Sequence, residues 1–465
     1  MINLQKIDKY RENNRIEAKR ALGGLPYSIW ETYSSFANTM GGVILLGVEE
    51  RRDKFFHPVD LPNPQALIDK FWQGLNNPRR VSVNILTREN IYVASVEGKR
   101  IVVIEVPRAN RADKPVYIEN DVWGGTYRRG GEGDYRCTPV EIAAMQRDAA
   151  TRTQDMQPLS GLHLDVLSKE SIRAYREMIH TLRPGHALER CSDRELLIQL
   201  NAAGAGEDGV LHPSAAGLLM FGHYEDIVKA FPNYALKLEL GDGGEEYLCQ
   251  NLFAFYHTVK ARLRELLPRA KKTFSAMTEA LCNCIVNADY HGIGGITVEK
   301  TESYLRFSNP GGFRVDPVLA RQGGVSDTRN RALSHMFALI GVGAGIGGGI
   351  PRMLGAWRES GRPMPYFSEY FEPESTALTL PFCRVTPREK QAPTHRSMPV
   401  TAAKQLVVEY LTRVIFARAG QIAAALGMSL SRVKQYLAEM KRDGIVIAEG
   451  AGKSTVWKLR ERAGL

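Results

Sequence analysis

At about 150 residues per domain, a chain of 465 residues calls for roughly three domains and more than one core. Apolar residues make up 44% and charged residues 24%, an ordinary globular balance that excludes wholesale disorder. Lys and Arg number 61 against 51 Asp and Glu, a net charge of +10, and the excess is concentrated at one end: Thr401 to Leu465 carries 11 Lys/Arg against 5 Asp/Glu. A basic surplus gathered in one place suits phosphate, so a nucleic acid is the expected partner.

No run of about 18 apolar residues occurs, so no membrane span is expected. The opening MINLQKIDKYRENN lacks the apolar core of a secretion signal. The six cysteines (137, 191, 249, 282, 284 and 383) are too scattered for a disulfide framework, and Cys282 and Cys284 have no neighbouring Cys or His pair to complete a zinc site. These features predict a cytoplasmic, soluble, multidomain protein.

In chain order, a first domain is expected over 1–150. Ser28 can cap a helix carrying Ile29, Tyr33 and Phe36 at helical spacing, and Gly41-Gly42 stops it. Val43 to Val48 reads as a buried strand, and Ile91-Tyr92-Val93 with Ile101 to Val106 reads as a hairpin turned by Glu97-Gly98-Lys99. The loop Gly124 to Gly133 is rich in Gly and Arg. A polar joint, Asp148 to Ser160, opens a linking segment over 151–270 that is helical from Ser168 to Ala203. The apolar stretch Ala215 to Gly222, a strand from Tyr234 to Leu240 and a helix from Leu252 to Leu267 follow. A third domain is expected over 271–383, with part of 211–270 allowed to it, and the Pro-rich, charged stretch 384–400 reads as a linker.

The last domain, 401–465, shows Leu406, Val407, Tyr410 and Leu411 at helical spacing, then a helix from Gln421 to Leu426 ended by Gly427. Ser429 opens a third helix running to Met440, and Ile445 to Ile447 and Val456 to Leu459 read as two strands. Helix, turn, helix and hairpin resembles a winged helix-turn-helix, whose second helix enters the major groove of double-stranded DNA while the wing touches backbone. Ser429, Ser431, Arg432, Lys434 and Gln435 occupy the groove-facing positions, with Lys453 in the wing turn.

In the third domain Glu279, Asn283 and Asn287 stand four apart in EALCNCIVNADYHG, so one helix face carries all three. Asn309-Pro310-Gly311-Gly312 follows a strand, then Arg329-Asn330, then the glycines Gly341, Gly343, Gly345, Gly347, Gly348 and Gly349 before a new helix. Glycines let backbone amides approach phosphate oxygens, and a helix start adds its positive end. This order resembles the divergent ATP-binding domain of the gyrase, histidine-kinase and MutL (GHKL) superfamily found in predicted bacterial ATP-binding transcriptional regulators. The resemblance implies Glu279 as the base for ATP hydrolysis and Asn283 as the Mg²⁺ ligand. It also implies Asn287, Asn309, Gly311, Gly312, Arg329, Asn330, Gly343, Gly345 and Gly347 around the nucleotide. Two departures stand out. The family commonly reads H-R-D-Y where this chain has Asn287-Ala288-Asp289-Tyr290, and the D-x-G-x-G whose Asp reads adenine is replaced by Asn309-Pro310-Gly311-Gly312.

In the first domain Phe36-Ala37-Asn38-Thr39-Met40-Gly41-Gly42 leads into Val43 to Val48, with Glu17-Ala18-Lys19 before it and Thr126-Tyr127-Arg128-Arg129-Gly130 after. This pattern resembles the Schlafen-type AlbA-like domain. The resemblance implies nucleic-acid binding, DNA or RNA, by Arg128 and Arg129. In Schlafen nucleases it implies acidic residues around Mg²⁺ or Mn²⁺, here Glu12, Glu17 and Glu49 or Glu50, with Lys19 neutralising developing charge. Glu12 and Glu17 lie five residues apart, so on a regular helix they diverge by about 140°. A shared metal therefore requires a break at Asn13-Asn14, with Glu17 to Lys19 entering a strand or a new helix.

The fold class expected is thus α+β multidomain: an AlbA/Schlafen-like domain, a GHKL-like α/β sandwich and a winged helix-turn-helix. The functional expectation is an ATP- and DNA-binding transcriptional regulator assembling as a homodimer. The rival is a metal-dependent nuclease, a defence effector switched by ATP, and a third alternative is a binding scaffold with both sites inactive.

Overall fold

The chain turns at Asn13-Asn14 and enters β1 (Ile16–Lys19), so Glu17 lies on a strand, as a metal shared with Glu12 would require. The computed structural model describes residues 13–51, 55–131, 133–151, 153–241, 244–266, 271–343, 345–371, 373–383, 407, 411, 416–425, 430–442, 445–449 and 455–459. Glu12, Ser429, Lys453 and the 384–400 linker lie outside them. Two compact units divide the chain, Met1–Arg384 and Val385–Leu465.

In the first domain α1 (Ile29–Asn38) buries Ile29, Tyr33, Phe36 and Ala37, the face its spacing predicts. Ser28 does precede the helix, but its hydroxyl makes no cap bond; it accepts instead from Lys19 Nζ at 3.1 Å. Gly41 (φ 70°) sits against the Val106–Arg108 backbone, where any side chain would collide. The expected strand from Val43 to Val48 is broken at Gly47 (φ 82°) into β2 (Gly42–Leu46) and β3 (Val48–Glu50), the latter pairing with β4 (Phe56–Pro58). Helix α2 (Pro64–Leu75) is capped by Asn63 and stacks Phe71 on Trp30 of α1 at 5.1 Å. Strands β5 (Ile91–Val96) and β6 (Lys99–Val106) form the expected hairpin, closed by Glu97 and Gly98, both at positive φ. The sheet order is β1-β2-β6-β5, with β1 and β2 parallel. A second hairpin, β7 (Tyr127–Gly130) and β8 (Gly133–Arg136), precedes α3 (Pro139–Ala149), which opens on a Thr138/Glu141 capping box.

The expected long helical segment is two helices, α4 (Lys169–Leu182) and α5 (Asp193–Gln199). A short hairpin of β9 (Ala203–Ala205) and β10 (Leu211–Pro213) leads to α6 (Ala215–Phe221), buried at every residue, and to α7 (Tyr224–Ala230). Next come β11 (Leu236–Leu240), β12 (Glu245–Tyr247), α8 (Leu252–Leu266) and α9 (Lys271–Asn287). Then follow β13 (Ile296–Lys300), β14 (Tyr304–Pro310), α10 (Pro317–Gln322), α11 (Arg331–Leu339), α12 (Gly345–Arg358), β15 (Tyr366–Phe371) and β16 (Glu374–Pro381). The six-stranded sheet runs β12-β11-β13-β14-β16-β15, so the third domain begins before residue 271. Helix α9 lies on β14 and β16, with α8, α11 and α12 packed on it, an α/β sandwich whose core includes Leu281, Val298, Phe307 and Leu380.

The joint after residue 148 is a clamp rather than a loose linker. Asp148 is still inside α3, and Asp155, only 2% exposed, accepts hydrogen bonds from the amides of Ala332 (2.8 Å) and Leu333 (3.1 Å) in the first turn of α11.

In the second unit β17 (Phe416–Ala417) is followed by α13 (Ala419–Ala425), α14 (Leu430–Arg442) and a hairpin of β18 (Val446–Glu449) and β19 (Val456–Leu459). The sheet order is β17-β19-β18, and Val407, Leu411, Ile422, Val433, Leu437 and Met440 form a core of their own.

The clamp yields a prediction. Asp155→Ala leaves two helix-opening amides without an acceptor and should lower stability to urea by about 1–2 kcal/mol. Asp155→Asn, which keeps an acceptor oxygen, should cost less than half of that.

Candidate nucleotide and nucleic-acid sites

Helix α9 carries Glu279 and Asn283 one turn apart, and its partner is the glycine-rich turn that opens α12. Gly341 (φ 73°) and Gly343 (φ 83°) bend the chain back onto α9, and a side chain at Gly349 would strike the Glu279 carboxylate. Glycine here is what lets the two backbones close, while Gly345 and Gly347 lie in the first turn of α12. An open cavity of about 1210 Å³ follows, lined by Glu279, Gly341 and Gly343 together with Lys260 and Arg264 of α8 and Arg352 of α12. The amide nitrogen of Asn283 is buried and finds no hydrogen-bond partner among the described residues. The three cations and the glycine turn fit a polyphosphate, and the carboxylate of Glu279, which lines the cavity, and the side-chain oxygen of Asn283, one turn further along α9, are hard donors of the kind Mg²⁺ takes.

The other end of α9 departs from expectation. Arg329, expected beside the nucleotide, is 8% exposed and fully spent. Its guanidinium pairs with Asp148 (2.7 and 2.9 Å) and donates to the carbonyls of Asn287 and Gly312. A side chain at Gly311 (φ 93°) would strike that guanidinium. Asn287 donates to the Asn283 carbonyl, and its Oδ1 accepts from the Arg329 amide. Asn309 and Asn330 are buried too: the first donates to the Pro310 carbonyl, the second to those of Val286 and Ala288. Arg329, Asn330 and Asn309 therefore hold α9 to its neighbours, because each polar group finds a protein partner in a space that excludes water. The side chains expected around the base are committed to protein partners. The sequence pattern shows that Arg329 is near the site but not that Asp148, 181 residues earlier, neutralises it.

Asp148 belongs to a series of ion pairs between the first and third domains. Arg108 makes a two-toothed pair with Glu369 (2.6 and 2.9 Å) and donates to the Phe313 carbonyl. Arg111 pairs with Asp327, and Arg147 with Asp289 at 3.0 Å. Burial works against the Asp148 charge, but the Arg329 guanidinium outweighs it and holds the carboxyl below the usual carboxylate range. Beside them Lys114, buried and near Arg108, is pulled down to about 8 while donating to the Asn38 carbonyl.

The first domain's signature residues prove structural. Asn38 donates to the carbonyls of Val116 (2.8 Å) and Tyr127 (2.9 Å) and accepts from the Val116 amide, tying α1 to two extended segments. Arg129, expected on the surface beside nucleic acid, is 3% exposed. It pairs with Glu17 (2.8 Å) and Asp134 (2.9 Å), lies over Phe36 and donates to the carbonyl of Asn13. Alternation on β7 turns it inward, so no phosphate reaches it in this arrangement. Arg128, its neighbour, pairs with Glu141 at 2.8 Å. Glu17 is shared between Arg129 and Lys19, while Glu49 lies between Arg20 (3.6 Å) and Arg51 (3.0 Å). Among the described residues no three His, Cys, Asp or Glu side chains gather as a metal-binding group. On α14 of the second unit Arg432, Lys434 and Gln435 are exposed, and Ser431 lies in the same helix.

Comparison with known proteins agrees with this division. Residues 12–138 match the family described as "Schlafen, AlbA_2", and residues 294–380 the family "Putative ATP-dependent DNA helicase recG C-terminal". The first domain is thus a Schlafen AlbA_2 domain and the third an ATPase-type domain. Residues 143–237 match a domain of unknown function, DUF8451. Among solved structures, the DIP2311 protein from Corynebacterium diphtheriae is 16% identical over 96% of this chain and 95% of its own, at a TM-score of 0.38. The N-terminal domain of a "Putative ATP-dependent DNA Helicase RecG-related Protein" from Nitrosomonas europaea is 32% identical over 29% of this chain and 90% of its own, at a TM-score of 0.23. No curated protein matches. No helix among the described residues is long and apolar enough to cross a membrane.

Removing one partner of the buried Asp148–Arg329 pair should destabilise the protein by about 3–5 kcal/mol, read by urea unfolding of Arg329→Met. Because the Asp148 carboxyl is depressed in the fold, its contribution is complete above the ordinary pKa of about 3.9 and is lost as pH falls through the folded value. Asp148→Asn should therefore flatten the acid limb of the stability–pH profile.

Proposed function

We propose that the protein is a nucleotide-responsive, DNA-binding regulator of transcription. One observation carries the reading: the ion pairs that join the AlbA_2 domain to the ATPase-type domain end on Asp289, Asp327, Arg329 and Glu369, around the C-terminal end of α9 and the Gly311-Gly312 turn. A triphosphate drawn to Lys260, Arg264 and Arg352 lies against Glu279 of the same helix, so its binding energy bears on how the two domains are held. In this reading the residues that hold ATP and Mg²⁺ are those of the cavity, with Glu279 and Asn283 toward the metal.

The second unit supplies the DNA contact. Helices α13 and α14 followed by the β18–β19 hairpin make the winged helix-turn-helix of this proposal, with Arg432, Lys434 and Gln435 toward the major groove. The basic surplus of residues 401–465 attracts the phosphates.

Electrophoretic mobility shifts with duplex DNA test the assignment. The full chain should bind with an affinity that falls steeply as salt rises, and deletion of residues 401–465 should weaken binding at least tenfold. A non-hydrolysable ATP analogue with Mg²⁺ should change the affinity of the full chain, and Asn283→Ala should blunt that response. An unchanged affinity after the deletion would remove the DNA assignment, and indifference to the analogue would remove the nucleotide response.

A further inference from the structure

We infer that this chain holds a nucleoside triphosphate through its phosphates and by stacking, without selecting the base. The inference rests on the proposed nucleotide reading and concerns which nucleotides that site takes.

Selecting a base requires polar groups held rigidly against its edge, because only then does the wrong base leave a buried donor or acceptor unpaired. At the Asn309–Gly312 turn, the place of the missing D-x-G-x-G, the Glu374 and Glu369 carboxylates crowd Gly312 and the expected polar side chains are committed to protein. Arg329 fills the space against Gly311, Asp148 neutralises it, and the amide of Asn309 is committed to the Pro310 carbonyl. Admitting a base there would mean breaking the buried Asp148–Arg329 ion pair and leaving a charge unmatched out of water.

The cavity on the Glu279 side offers different chemistry. The Arg264 guanidinium lies 4.9 Å from the centre of the Phe274 ring, and both line the cavity. Guanidinium planes and phenyl rings stack on any base, since every base has a π-face. The carboxylates there besides Glu279, Glu170 and Glu177 of α4, are exposed at the rim. Exposed carboxylates accept from the amino groups of adenine, guanine and cytosine alike and lose little when water replaces a base. His257 also borders the cavity with a buried Nε2 that has no hydrogen-bond partner among the described residues, and burial together with Lys260 lowers its pKa and favours the neutral ring. A single neutral imidazole nitrogen can donate or accept according to its tautomer, so it too adapts to different base edges. The fixed charges, Lys260, Arg264 and Arg352, suit the one part that all nucleoside triphosphates share.

Calorimetry on the full chain with non-hydrolysable ATP, GTP and CTP analogues, and with inorganic tripolyphosphate, all with Mg²⁺, tests the inference. The three analogues should bind within tenfold of one another. Arg352→Ala should weaken all of them and tripolyphosphate alike. Phe274→Ala should weaken the three analogues by a common factor and leave tripolyphosphate binding unchanged, which also shows that the variant is folded. An ATP analogue bound more than tenfold tighter than the other two would overturn the inference and leave the nucleotide reading standing. Absence of binding by every nucleotide and by tripolyphosphate would overturn the nucleotide reading itself.

Discussion

The first compact unit is organised around a buried charge, the Arg329 guanidinium held between Asp148, the Asn287 carbonyl and the Gly312 carbonyl. A cation taken out of water must be matched by an anion and by acceptors for its remaining donors, or it costs several kcal/mol. Meeting that demand sets several features at once. Helix α3 must end where Asp148 can reach, residue 311 must be glycine, and the C-terminal end of α9 must keep its carbonyl turned toward Arg329. Arg108, Arg111 and Arg147 extend the same junction with pairs to Glu369, Asp327 and Asp289.

This arrangement divides α9 into two ends with different duties. Its C-terminal end, from Asn287 onward, is bound into protein and serves cohesion. The turn around Glu279 faces the glycine turn and the open cavity, and one turn further the buried Asn283 amide finds no hydrogen-bond partner among the described residues. Charge follows the same division, since Arg108, Arg111, Arg147 and Arg329 of the junction are paired with carboxylates and the cations lining the cavity come from α8 and α12. In the proposed reading, an ATPase-type domain built this way keeps cations for the phosphates of a nucleotide at the cavity and gives the other end of α9 to domain packing.

The same economy governs the AlbA_2 domain. Arg129 looks like a nucleic-acid contact in a glycine-rich loop, but it cross-links β1 and β7 by pairing with Glu17 and Asp134. Glu17 is consequently tied to two cations, and Glu49 to two others. Asn38 shows why the F-A-N-T-x-G-G pattern takes the form it does: its side chain replaces backbone bonds that the end of α1 and its neighbouring segments cannot make with one another.

Local physics made much of the architecture legible from the residues alone. Helical spacing placed α1, α8 and α14, and the positive-φ pair Glu97-Gly98 closed the expected hairpin. Glu279 and the glycines of the α12 turn also meet as their order implied, because a carboxylate on one helix face and a side-chain-free backbone opposite it can be recognised from short stretches. The fate of each arginine could not be read in this way. Nothing near Arg329 in the chain distinguishes a cation waiting for phosphate from one already neutralised, since Asp148 lies 181 residues away, and at Arg129 the nearby Asp134 is joined by Glu17 from 112 residues away. Only the tertiary structure brings those carboxylates in, and with them it decides which cations are spent on cohesion and which remain for a ligand.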